Sequence, residues 1–529
     1  MRSIFRGVAT LAFTATLTAS GPGSAVPSKP DDAAILHVLG RTGFGARPGD
    51  LDQVRQLGLD KYIDQQLHPE RISDTQMHAR LAGLVTLNMS SRALADEYYE
   101  PAIKARQEAK KQAAAEPSMT ESTPRRTPEQ AEAARKARVV VMDLSAQKIL
   151  RAAYSDRQLE EVMTDFWFNH FNVFAGKGAT QQYLTEYERD TIRPHVLGRF
   201  RDLLEATAKS PAMLFYLDNW QSADPDVEAR REQMRTRFGA RFPGRMPPPQ
   251  QQQANQQRQR RGLNENYGRE LMELHTLGVD GGYTQQDVIN VARAFTGWTI
   301  DRPRQGGGFR FEPRLHDDKE KVVLGHKIKG GGGQSDGEQV LDILAKHPAT
   351  AKFIATKLAR RFVSDDPPPA LIDRAAARFR ETNGDIREVV RLILTSPEFF
   401  APDAYRAKVK TPFEFVVSSL RATGADVQTA DALVQAVRQL GMPLYMCQPP
   451  TGYADRADAW INTGALLNRM NFALQLVNGR MRGVQPGAAP LGPQLVGQLS
   501  ASTAATVAKA TDARQVAALT LGSPEFQRR

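Results

Sequence analysis

Residues 263–298 read LNENYGRELMELHTLGVDGGYTQQDVINVARAFTGW, and the character of the chain follows from them. Asn264 or Asn266 can accept the N–H groups left open in a first helical turn, and Gly278 is placed to end the helix in a left-handed cap. Tyr267, Leu271 and Leu274 recur at helical spacing and predict a buried stripe. Glu270 and Glu273 then share another face, and Arg269 can pair with Glu273 one turn away. His275 lies about 200° round an ideal helix from Glu273, from a step of ~100° per residue. Glu270, Glu273 and His275 therefore share a metal face only if the last turn unwinds. The stretch is either a polar site or an ion-paired surface.

Upstream, Leu159, Val162, Met163, Phe166 and His170 fall on one helical face, so FWFNHF puts His170 on the apolar side with Asn169 beside it. Such a histidine is either a hydrogen-bonded core residue or a neutral pocket histidine able to ligate a metal or act as a base. Downstream of Trp298, alternation in GFRFEPRL and KVVLGHKI on either side of HDDKEK predicts a small hairpin within 304–333. His316 and Asp317 would sit in its turn, as the second half of a site or as an acidic turn bonding its own backbone. Helical periodicity resumes from 337 to 480. HPATAKFIATKLARRFVSDDPPP is a helix with a proline stop, QPPTGY is a rigid turn carrying Tyr453, and Arg469 lies in the helix of Trp460–Leu474.

The organisation expected is mainly α: a multi-helix single large domain over 26–482 with a small β-hairpin insertion. A charged arm at 103–138 and an Arg/Pro/Gln-rich insertion at 221–262 interrupt it, and 483–529 is a Gly/Pro/Ala-rich linker with a last helix. Residues 1–25 have the form of a secretory signal cleaved near Ala25: Arg2 and Arg6, an apolar run too short to span a bilayer, then small residues. This predicts a periplasmic or secreted protein. Cys447 is the single cysteine, so burial and not a disulfide must hold the fold. The net charge of +11 comes largely from linkers, without interleaved aromatics, and export argues against a nucleic-acid partner.

GRTGFGARPGDL, FWFNHFNV, NENYGRELMELHTLGVDGGYTQQDV, ARAFTGWT, LHDD, HPATAKFIATKLARRFV, KTPFEFVVSSLRA, PPTGY and WINTGALLNRMNFA follow one another in order. Together they resemble the bacterial exported family called domain of unknown function 1800. The resemblance implies a helix-rich secreted or periplasmic protein and names no substrate.

There is no GxSxG elbow, phosphate-binding glycine loop, HExxH helix or CxxC pair. The candidates are Glu270, Glu273 and His170 for catalysis; Asn169, Asn266, Arg269, Trp298, Tyr453 and Arg469 for binding; and His170, His275, His316 and Asp317 for a hard or borderline divalent metal. Two readings follow. One is a metal-assisted or carboxylate-based hydrolase or lyase acting on an extracytoplasmic substrate such as an envelope polymer. The other is a non-enzymatic envelope binding, assembly or maturation partner of another exported protein, with a buried polar network.

Overall fold

Leu159, Val162, Met163, Phe166 and His170 are all buried on the helix Gln158–His170, as their spacing requires. The same rule builds most of the chain. The computed structural model describes residues 25–115, 127–227, 262–487, 491 and 499–529, and within them helices dominate and the strands form only two-stranded sheets. The signal-like segment to residue 24 and residues 228–261 of the insertion lie outside the described residues. Among those described, no helix is long and apolar enough to cross a membrane.

One continuous apolar core runs through the chain, from Ile35 and Leu39 of the helix Asp32–Thr42 to Leu521 of the helix Ala513–Gly522. That last helix packs on Thr463–Val477, so the end of the chain is core and not an appendage. The charged arm is helical on both sides of 116–126, which are not described, as Glu100–Ala115 packed on Pro128–Tyr154. Its composition gives it exposed sides, while Val140, Leu144 and Ile149 further along the second helix reach the interior.

The strands depart from expectation. GFRFEPRL does not pair with KVVLGHKI. Instead β1 (Trp298–Ile300) pairs with β2 (Phe309–Phe311), and β3 (Lys321–Val323) pairs with β4 (His326–Ile328). Leu324 and Gly325 both take positive φ, 49° and 79°, which suits a two-residue hairpin whose twist matches its strands. The sequence concealed this turn because leucine stands where asparagine usually does. HDDKEK does not form a solvated turn either, because His316, Asp317 and Lys321 are all drawn inward. Lys321 Nζ donates to the carbonyls of Asp317 and Lys319 and to Asp336 Oδ2 (2.7 Å), and His316 Nε2 lies 3.2 Å from the same carboxylate.

Candidate functional site

The helix Gln158–His170 ends beside the helix Pro348–Phe362 and the loop after Pro450, and a cavity of about 270 Å³ opens between them. Proline at the first turn and the His347 side chain, which accepts from Ala349 N, start the second helix. Ala351, Ile354, Ala355, Leu358 and Phe362 bury one stripe of it. Phe353, Lys357 and Arg361, each one turn apart, form another stripe, and Lys357 and Arg361 line the cleft.

The loop is fixed by a two-point clasp. Asn169 Nδ2 donates to the Tyr453 carbonyl (2.8 Å), and Asn169 Oδ1 accepts from Tyr453 N (2.7 Å). Gly452, at φ 73°, passes so close that a Cβ there would stand 2.3 Å from the Asn169 carbonyl oxygen. Only glycine fits, for both conformation and space.

His170 forms the buried floor. Its Nε2 is 3.1 Å from the His275 carbonyl oxygen, which can only accept, so the ring proton sits on Nε2 and the Nδ1 lone pair has no partner. Burial, with Lys357 and His275 adding to it, pushes the imidazole well below its ordinary range, so it is neutral. Lys357 crosses the Phe353 ring at 5.4 Å and has no hydrogen-bonded or ion-paired partner among the described residues. Solvent reaches part of its side chain, but the protein packed round the ammonium pushes it down to about 8, against the pull of Asp455. The acids of the cleft are committed elsewhere: Asp165 to Lys148 (2.7 Å) and Asp455 to Lys408 (2.9 Å). Arg361 Nη1 binds Glu414 Oε1 at 2.7 Å, and Arg360 Nε donates to the Asp365 carbonyl.

Of the other sequence candidates, His275 packs beneath the cleft, its ring centroid 6.3 Å from that of His170, and the rest are not among the lining residues. The helix Glu265–Glu270 widens into a π turn over Leu271–Thr276, closed by Leu277 N donating to the Met272 carbonyl (2.7 Å). The last turn is thus not an ideal α-helix, yet no metal face results. His275 is turned into the core and pushed down to about 3 by burial, while Glu273 accepts from Tyr283 Oη on the outer side. Glu270 is half-buried and raised by that burial and by Glu273. Neither glutamate is among the charges acting on His170. His316 belongs to the Lys321–Asp336 network, and Asp317 is held by Arg293 (2.7 Å). Among the described residues, no three His, Cys, Asp or Glu side chains are grouped to hold a metal.

Arg269 bonds Gln285 (2.7 Å), Asn266 is exposed, and Trp298 is wholly buried against Gly337. Arg469 is buried, donating to the Lys410 carbonyl (2.7 Å) and Gln527. Of the expected residues, His170, Asn169 and Tyr453 come together at the cleft, with His275 packed behind His170.

The family model described as Protein of unknown function (DUF1800) matches residues 37–528. The chain belongs to this family. No curated protein and no solved structure matches it. Sequence reasoning missed Lys357, Arg361 and Asp455 in this DUF1800 protein. The usable signal was a basic residue one turn from Phe353, beside the helix's apolar stripe, which reads as solvated until the 449–456 loop covers it.

Proposed function

We propose that the chain is an exported protein that binds an anionic extracytoplasmic substrate in the His170 cleft and moves a proton on it, as a lyase or hydrolase does. One observation carries this: an unpaired lysine that loses its proton near neutral pH faces a neutral imidazole with a free Nδ1, in a cleft with four cations and two acids. Neutral Lys357 can take a proton from a carbon beside a carboxylate, or from water, and Arg360 can offset the substrate's charge. The signal-like segment at 1–25 and the surplus of cations point to an acidic envelope polymer.

The test is to incubate the full chain with polygalacturonate and alginate. Ultraviolet absorbance reports elimination, and new reducing ends without absorbance report hydrolysis. Lys357→Met should lower either rate by about a hundredfold or more, the usual contribution of a positioned base. No turnover and no binding of either polymer would remove this reading. Binding without turnover would favour a non-enzymatic envelope protein, which the wholly buried Arg361–Glu414–Arg529 network also suits.

A further inference from the structure

A second cavity, about 290 Å³, lies between the helix Asp32–Thr42, Tyr405, Lys410 and residues 525–529. Leu36, Tyr405 and Phe526 give it apolar walls. Tyr405 stacks on His37 with ring centroids 4.4 Å apart and 12° between planes, so one wall is flat. Lys410, only 7% exposed, lines the cavity with its Nζ 3.7 Å from the centre of the Phe526 ring. Beyond that ring contact, its Nζ has no hydrogen bond and no acid partner among the described residues, the Lys410 hydrogen bonds being those of its backbone to Gln527 and Arg469.

The charges around it make this unusual. Arg529, Arg469 and Arg406 face Lys410 against Glu414, and Glu414 Oε1 is already shared by Arg361 Nη1 (2.7 Å) and Arg529 Nη2 (3.1 Å). Glu525, on the rim, is occupied by Ser500 N and Thr503 Oγ1. His37 is neutral, pushed down to about 3 by burial and Arg41. A buried ammonium in such surroundings either sheds its proton or takes up an anion.

We infer that this cavity is a second ligand site, distinct from the His170 cleft, for a small organic carboxylate: the carboxylate pairs with Lys410 and an apolar or aromatic body lies between Leu36, Phe526 and Tyr405. A bare inorganic anion would leave the apolar walls unfilled, and a neutral molecule would leave the ammonium uncompensated. Because the anion selects the charged amine, binding takes up a proton near neutral pH and weakens as the pH rises.

Titration calorimetry of the full chain with benzoate tests this, alongside benzyl alcohol and inorganic phosphate as the neutral and the bare-anion probes. Benzoate should bind one-to-one, about tenfold or more tighter than either, and Lys410→Met should lose about tenfold or more while Lys357→Met does not. Reductive methylation at neutral pH, mapped by peptide mass on the unaltered chain, gives a readout that needs no variant: benzoate should slow modification of Lys410 and leave Lys357 unchanged. The proposal is overturned if benzoate neither saturates nor protects Lys410, if Lys410→Met binds it equally, or if phosphate binds as tightly. Failure here leaves the polymer assay at the His170 cleft untouched, because the two sites share no lining residue.

Discussion

The His170 cleft and the His37 pocket are built from the same parts. In each, a buried histidine gives its Nε2 proton to a backbone carbonyl, of His275 or of Phe399, and keeps an unpartnered Nδ1. In each, a lysine is held below its usual range of about 10.5, Lys357 at about 8 and Lys410 at about 7. Arg361 from the first and Arg529 from the second meet on one Glu414 oxygen. Their surroundings differ. Lys357 feels Asp455 and one opposing arginine, whereas Lys410 is opposed by three arginines beside apolar walls. Lys410 is also buried, whereas solvent reaches part of Lys357, so similar groups yield a base open to solvent and an ammonium held among like charges. Uncompensated charge and depth of burial, not residue type, separate them.

The largest effect should come from the shared acid. Glu414 sits in a capping box with Thr411 and is held down to about 2, chiefly by Arg361 and Arg529 outweighing its burial. Glu414→Ala leaves buried arginines unpaired and should cost ~3–5 kcal/mol in denaturant unfolding. A loss under ~1 kcal/mol would mean that the two sites do not depend on a common counter-ion.

Gly452→Ala acts on the cleft alone. The positive φ and the approach to Asn169 predict a loss of ~1–3 kcal/mol, with polymer binding weakened and benzoate affinity unchanged. If both ligands weaken together, the sites are not separable.

Lys410→Met should raise Tm by a few degrees at most. The folded amine titrates near 7 and the unfolded one near 10.5, so the folded form binds fewer protons between those values. The penalty is full below pH 7 and fades as the pH rises towards 10.5. The gain in Tm should follow that course, and a gain that does not vary with pH would assign the effect to packing.

The smallest effect is an order of reactivity. As pH rises, methylation should reach Lys410 first, then Lys357, then solvent-exposed lysines such as Lys319, whose ion pair with Asp226 raises it. Simultaneous labelling of Lys357 and Lys410 would erase the distinction between the pockets.

Legibility followed the range of the interactions. Asn264 as a cap, Gly278 as a stop at φ 82°, and Tyr267 and Leu271 of the buried stripe depend on neighbours within two turns and stand as the spacing predicts. Leu274, beyond the start of the π turn, is only half-buried. His170 read as an inward histidine for the same reason. Glu270 and Glu273 stand out in the sequence because they are two carboxylates close to His275 on one segment. The π turn and the packing of His275 into the core divide that segment between an interior and an outer face. The hairpin was misassigned because alternation shows that a run can be a strand but not which run it meets.

The sequence by itself determined the helices, their caps and buried stripes, and membership of a helix-rich family, because each rests on contacts between residues a few positions apart. Tertiary structure alone decided which polar groups share a cavity. Asn169 clasps Tyr453 across 284 positions, Arg421 finds Asp50 across 371, and Arg361 and Arg529 reach Glu414 from opposite sides of it in the chain. A lysine's proton affinity depends on the charge and solvent around its final position, and those come from segments that the chain's order does not bring together.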